Sequence, residues 1–476
     1  MAALVGSLLQ ATAEKALAPA AAVLDLSGNI AAGVVTTVVG PIHSLLPDVV
    51  QRTVRELLLT LLAIVFGVLR LAGGLPRWLR GGSVRSSARL SPPECLSDPL
   101  LGRHMYAKIN GTKYHYVENG SRRQEMVLLL HDFSDFWYGW RNQLRGLSGS
   151  NWVVAPDLKG FGDSDKPFLA RQYREELVVE ELRQLVDVLQ ESERRIVLIG
   201  HGLGGHLAWR FVEKYPEMVS KFVSISTPHP RVWLRHVLAS WRSILQNRWL
   251  YICRLPFLPE LEMVSHDLEV FDRKFASQSG VTDLRLNSLM DKEAYKYTFS
   301  RTTDWQGPVN YLRNLPLGDS SVFTMDKDGA DRLIPVEALL ITGNVDPEIS
   351  MDLVTQSAEY LERFAMHIVN GAGHSPHQEQ PELVNRHITR FIKAPDVVKQ
   401  ELGGGGEGRR EVAREVQGGY HTLPKARQQL LDSYSAPVTA VLDSSHSLLS
   451  SLSSTASSLP ILGNFLPAPT KVTQQE

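Results

Sequence analysis

The sequence predicts an α/β domain with a mostly parallel central sheet and helices on both faces. Three observations predict it. Short, wholly apolar runs recur through the middle of the chain, segments of helical periodicity separate them, and one run enters a helix through a glycine-rich turn, Gly200-His201-Gly202-Leu203-Gly204-Gly205. Strands covered on both faces read as continuous apolar runs, and strand–helix alternation favours parallel pairing through crossovers.

Residues 1–93 form an Ala/Val/Leu-rich N-terminal region with a candidate membrane helix at 57–75. Leu57 to Leu69 is apolar apart from Thr60; Arg70 interrupts the run and Leu71 to Leu75 extend it. A spanning helix needs about 20 predominantly apolar residues, a length reached only by including Arg70, whose head group can snorkel. A buried core helix or an interfacial helix fits the same composition. The segment lies too far from Met1, and is too poor in a cleavage site, for a signal peptide. Arg70, Arg77, Arg80, Arg85 and Arg89 follow it, against Arg52 and Arg55 before it, so the positive-inside rule places the following domain in the cytosol.

The α/β domain spans 97–395. Met126 to Leu130 and Trp152 to Ala155 read as buried strands, and Val178, Leu182, Leu185, Val186 and Leu189 mark one face of a helix. Ile196 to Ile199 is a strand leading to a helix from about Leu203 to Tyr215, and Lys221 to Ile225 continues the pattern. An aromatic-rich helical lid is expected at about 230–330, followed by strands at Val336 to Ile341 and Ala365 to Val369. Residues 396–424, with Gly403 to Gly406, read as a flexible linker, and 425–476 as a Ser-rich amphipathic tail. Ala18 to Asp25 resembles Ala436 to Asp443. That similarity is either chance between low-complexity helices or a pair of amphipathic elements for a lipid surface.

The chain has 476 residues, 43% hydrophobic and 21% charged, enough for a substantial core. A formal net charge of −1 argues against a nucleic-acid partner. Two cysteines, Cys95 and Cys253, make a disulfide framework unexpected. No Cys/His cluster has metal-ligand spacing, so neither a metal nor another cofactor is expected.

A tight strand-to-helix turn exposes its central residue above the sheet. Here that residue is Gly202, which has no side chain with which to attack a substrate. Its surroundings are specific: Leu128-Leu129-Leu130-His131, Phe136-Trp137-Tyr138-Gly139-Trp140-Arg141, Gly160-Phe161-Gly162-Asp163-Ser164-Asp165-Lys166-Pro167, the glycine-rich turn itself, and Gly307-Pro308-Val309-Asn310 with Arg313-Asn314. In these stretches the chain resembles the membrane-anchored epoxide hydrolases of the α/β-hydrolase superfamily, from about Tyr106 to Ile392. The resemblance implies the α/β-hydrolase fold with an inserted lid and a place at the endoplasmic reticulum membrane. It also implies an elbow Asp that attacks the epoxide, two lid tyrosines that hold its oxygen, and a His–Asp pair that activates water.

Residue by residue, only part of this carries over. Gly202 stands at the nucleophile position. The oxyanion loop, His-Gly-x-Pro in the family, reads His131-Asp132-Phe133-Ser134, and Asp132 brings a negative charge where negative charge must develop. One lid tyrosine position falls on Leu312, beside Tyr311; the other falls near Trp249, with Tyr251 close by. Asp346 and His374 match the family's acid and histidine. Bland roles are expected elsewhere: packing near the sheet edge for His201, lid structure for His229, a surface helix entry for His377, loop geometry for Asp157 and Asp163, and lid core, or for some the lining of an apolar pocket, for Trp233, Trp241, Trp249, Tyr251, Phe257, Tyr295, Tyr297 and Phe299.

The expected function is therefore a membrane-associated, epoxide hydrolase-like protein without that activity, binding a lipophilic small molecule or lipid or acting as a scaffold. The alternative is a hydrolase of epoxides or esters in which His374 and Asp346 activate water. A third route, attack by Asp132, requires that carboxylate to reach the substrate carbon from the opposite loop. Protein partners are not legible.

Overall fold

Apolar runs too short for helices become strands here, and all but the run at 365–369 are buried on both faces. The computed structural model describes residues 48–79, 86–87, 89–190, 194–277, 289–317, 333–394 and 421–422. All but the last two of these residues belong to one unit of the chain, Met1–Gly419. The linker at 396–424, except 421 and 422, the tail at 425–476 and both ends' similar segments lie outside the described residues.

Strand β1 (Arg103–Ile109) pairs antiparallel with β2 (Thr112–Asn119). The strands β3 (Met126–Leu130), β4 (Trp152–Pro156), β5 (Ile196–His201), β6 (Val219–Ile225), β7 (Glu337–Gly343) and β8 (Arg363–Val369) follow. Within this unit the spatial order is β1-β2-β4-β3-β5-β6-β7-β8. The β2–β4 pair is antiparallel, and β4 through β8 pair in parallel. This is the α/β-hydrolase architecture, and the six strands read from apolar runs occupy their expected places within a residue or two.

The β1–β2 hairpin was not among the expected strands. Its residues mix charged and aromatic side chains, so no apolar run marks it. Its signal is the two-residue turn Asn110-Gly111, with both φ values positive (49° and 86°), as a hairpin turn of the right twist requires.

Four helices pack on the sheet early in the chain or after the lid: α2 (Arg141–Leu147), α3 (Glu175–Leu189) and α4 (Gly202–Lys214) before it, and α13 (Pro381–Lys393) at the end. The lid lies between β6 and β7 and contains α5 (Pro230–Leu238), α6 (Trp241–Gln246), α7 (Arg248–Ile252), α8 (Leu258–Ser277), α9 (Leu289–Thr298) and α10 (Thr302–Arg313). α8 is kinked at Ser265–Leu268, where three consecutive residues have positive φ. His229 caps α5 by accepting from Arg231 N, and its Nε2 lies 2.8 Å from Glu213, a structural role as expected. Between β7 and β8 lies α11 (Met351–Gln356), and α12 (Pro376–Glu379) precedes α13.

The N-terminal apolar segment is part of a longer helix, α1 (Asp48–Leu79). The chain before Leu57 carries Gln, Arg and Glu, good helix formers that prolong the helix backwards. Its Thr53–Gly73 portion is long and apolar enough to cross a membrane. The helix has two unlike faces. Leu59, Ala63 and Phe66 are buried, and Leu59 and Phe66 pack with Leu250, Tyr251 and Ile252 of α7. Glu56 and Arg70 pair with the lid residues Arg254 and Glu262. On the other face Leu57, Leu61, Ile64, Val68 and Leu69 are exposed. A helix that is apolar on both faces, with one face occupied by protein, leaves the other suited to lipid.

Phe66→Ala removes the ring that joins α1 to Trp241 and Tyr251. We expect the unfolding free energy in detergent to fall by about 3 kcal/mol; an unchanged denaturation midpoint would show that α1 does not rest on the lid.

Candidate functional site

The elbow forms where β5 passes directly into α4. Gly202 adopts φ +51°, a left-handed conformation that side chains disfavour. Gly204 N donates to His131 O at 2.9 Å, bringing the elbow against the loop after β3. A Cβ on Gly204 would lie 2.3 Å from the Leu130 backbone, so no larger residue fits there.

The β3 loop places Asp132 directly over Gly202. A Cβ at Gly202 would meet Asp132 Oδ1 at 1.8 Å and its Cγ at 2.1 Å. Oδ1 accepts from Leu203 N at 2.8 Å, in the first turn of α4, where unpaired N–H groups favour an anion. Burial opposes the charge, but nearby histidines, Lys274 and the Leu203 N–H hold the Asp132 pKa down at about 2. Burial pushes the His201 pKa down to about 4. The sequence led us to expect Asp132 to oppose an oxyanion. Instead its carboxylate occupies the oxyanion donor, because the loop is only one side-chain length from the helix N-terminus.

The loops after β7 and β8 bring Asp346 and His374 together as expected. His374 Nδ1 lies 2.9 Å from Asp346 Oδ2, and Asp346 Oδ1 accepts from Glu348 N and Ile349 N. With Nδ1 committed to a carboxylate, Nε2 faces Asp132 Oδ2 at 3.8 Å and Glu348 at 3.8 Å. Burial disfavours the imidazolium, but Glu348, Asp346 and Asp132 together raise its pKa to about 10. Two supports for His374 were not foreseen. Glu379 accepts from Gly373 N and Ser375 N on either side of it, and His201 Nε2 bonds its carbonyl at 2.9 Å. The Glu379 contacts close a local turn within Gly373–Glu379, whereas the His201 contact joins segments 173 residues apart.

Three bland expectations need correction. His201 is not near the sheet edge, since β5 has strands on both sides. His377 is not a surface residue. It is 1% exposed, with its ring 4.4 Å from Trp140, because α12 folds inward and Gln143 binds its carbonyl. Phe257 is no part of a lid core, being 73% exposed in a loop with positive φ. Tyr251, Tyr295 and Phe299 are buried, and Asp157 holds its loop through Trp137 N and Asp163 N.

A cavity of about 880 Å³ opens over the elbow, near the upper end of ligand-site volumes. Asp132, Phe133, Gly202, Leu203 and His374 line it from the α/β domain; Trp249, Ile252, Met263 and Leu312 line it from the lid, and Arg70 from α1. Tyr251 and Tyr311 are absent from the described lining. Tyr251 packs on Phe66, and Tyr311 donates to Lys159 O at 3.0 Å. Trp249 and Leu312, which the resemblance sets at or near the lid-tyrosine positions, do line the cavity. Asp132, His201 and His374 hold ligand atoms within 4.8 Å of one another. A protonated His374 and the committed Nε2 of His201 make that trio a poor cation cage at neutral pH.

The Alpha/beta hydrolase family pattern matches residues 127–387. The chain is 36% identical over 319 residues to Epoxide hydrolase 4 of Homo sapiens, covering 65% of this chain and 84% of that protein. It is 32% identical over 314 residues to Epoxide hydrolase 3 of Xenopus tropicalis, covering 65% and 83%. Among solved structures, an epoxide hydrolase from Bacillus megaterium with a bound inhibitor matches with TM-score 0.53 at 24% identity, over 61% of this chain and all of that one. An epoxide hydrolase from Vigna radiata matches with TM-score 0.52 at 26% identity, over 61% and 97%.

Two outcomes test this geometry. Gly202→Ala must displace the Asp132 carboxylate from Leu203 N, so the His374 pKa should fall; Asp132→Asn should lower it further, both read by NMR titration of the His374 ring. His374's folded pKa lies above its ordinary 6.5. Its contribution to stability is therefore full below about pH 6.5 and is lost as pH rises through about 10, so the unfolding free energy of wild type should decline over that interval more than that of His374→Gln.

Proposed function

We propose, for a chain that belongs to the alpha/beta hydrolase family, that it hydrolyses a lipophilic epoxide or ester at a membrane surface. The observation that carries this is the His374–Asp346 pair, at 2.9 Å, with Nε2 turned into an 880 Å³ cavity. A carboxylate on Nδ1 orients the ring and stabilises its cation, the arrangement of a general base for water. The lid wall of Trp249, Ile252, Met263 and Leu312 supports an apolar substrate. That the relatives bear the name epoxide hydrolase supports the ring-opening reaction in particular.

Membrane attachment is part of the proposal, through the exposed apolar face of α1. Because the opposite face is packed on the lid, α1 lies along one leaflet rather than passing through both. The arginines that follow Leu69 favour the anionic cytosolic leaflet, and the resemblance supports the endoplasmic reticulum.

A second reading is a lipid- or ligand-binding protein or scaffold that turns nothing over. Gly202 and the replacement of both lid tyrosines favour it, since they remove the usual nucleophile and the usual donors to the epoxide oxygen. Purified full-length protein in detergent, assayed for diol across a panel of lipophilic epoxides, separates the two. Turnover abolished by His374→Ala is the expected result. Tight binding of the panel without diol would establish the second reading instead.

A further inference from the structure

We propose that Asp132 is the nucleophile of this site, its carboxylate standing in the space an elbow side chain would fill and forming a covalent ester with the substrate. The inference rests on the hydrolase reading and supplies its chemical step.

Place comes first. The carboxyl carbon of Asp132 lies 2.1 Å from where a Cβ of residue 202 would be. An elbow presents its central side chain to the pocket, so the Asp132 carboxylate is presented there although it comes from another loop. Any side chain at 202 would collide with it, which accounts for the glycine. The same exchange accounts for an Asp in the oxyanion loop, so two departures that looked like independent losses are one relocation of a carboxylate.

Orientation comes second. Oδ1 is held by Leu203 N at 2.8 Å, while Oδ2 faces His374 Nε2 at 3.8 Å, beyond direct hydrogen-bond contact. One oxygen is fixed and the other is left to attack. His374 sits within one water of the carboxyl carbon, which is where a base must act to cleave an ester. Both groups line the same cavity.

Charge agrees with this order of events. A direct attack by water needs neutral His374 at the outset, whereas the Asp132 carboxylate keeps its cation favoured. Attack by Asp132 starts from the ion pair itself. Oδ2 attacks an epoxide carbon; the new C–O ester bond forms as the ring C–O bond breaks, and its electron pair stays on the ring oxygen. That oxygen takes the proton of the His374 imidazolium, directly or through one water, in a site where no lid tyrosine lines the described cavity. Esterified Asp132 is neutral, so neutral His374 becomes a usable base. It takes a proton from water, whose oxygen attacks Asp132 Cγ, and the oxyanion develops on Oδ1 against Leu203 N–H. The Cγ–Oδ2 bond breaks, and the departing alkoxide recovers the proton from His374. The diol leaves, and the Asp132 carboxylic acid returns its proton to His374. The balance is epoxide plus water to diol.

The test uses full-length protein in detergent, in excess over a lipophilic epoxide, in oxygen-18 water. We expect first-turnover diol to carry unlabelled oxygen at its new hydroxyl, and the peptide containing Asp132 to gain oxygen-18. Labelled first-turnover diol with an unlabelled Asp132 peptide overturns the proposal and leaves direct water activation by His374 standing. Diol from no member of the panel removes the hydrolase reading and this proposal with it. Asp132→Asn should lower turnover by at least about a thousandfold, and wild-type turnover in that variant overturns the proposal. Moving the carboxylate back, in the double variant Asp132→Gly with Gly202→Asp, should recover turnover to within about a hundredfold of wild type.

Discussion

The contact between the Asp132 carboxylate and Leu203 N–H, over the bare Gly202, is what the rest of the site is arranged around. It joins the loop after β3 to the first turn of α4, and it puts a negative charge where the N-terminus of α4 faces the cavity. With Asp132 in place, Gly202 cannot carry a side chain, and His374 is held as a cation between three carboxylates. Removing the Asp132 side chain would leave Leu203 N–H without its acceptor and loosen the imidazolium at once.

The scaffold supports this contact from below and above. Glu379 pins the two peptide N–H groups flanking His374, and His201, at the end of the central strand β5, holds its carbonyl. The first is a local turn and the second a contact from a distant segment, and together they leave the His374 loop little freedom to drift. The lid is clamped to the sheet domain by Tyr138 and Arg141, both bound to the buried Asp291 of α9. A cavity between a fixed lid and a fixed base pair suits chemistry that depends on position more than on induced closure.

α1 adds an exposed apolar face to the same architecture. Its packed face shares a cluster with α7, whose Trp249 and Ile252 line the cavity, and its Arg70 reaches the cavity wall. The lipid-suited face and the ligand site are thus separated by one helix and one lid layer. For an apolar substrate dissolved in a bilayer, that proximity shortens the path through water, which is the costly part of its delivery.

Much of this was legible in the sequence. Apolar runs without a polar face located six strands, because burial on both sides imposes that pattern directly. The glycine-rich turn located the elbow, and Gly371 to His374 and Gly343 to Asp346 located the acid–base pair, whose residues keep a recognisable local setting. The hairpin β1–β2 went unseen among charged and aromatic residues, though Asn110-Gly111 announced it. What the sequence could not convey was direction. Asp132 and Gly202 lie 70 positions apart in the numbering, and read singly they appear as two defects. Only the fold shows that the carboxylate of one fills the void of the other, since that depends on the distance between two loops set by the pairing of β3 with β5. His377 was misread for the same reason: whether a polar residue after a proline turns out to solvent or in against Trp140 is decided by the partners it meets, not by its neighbours in sequence.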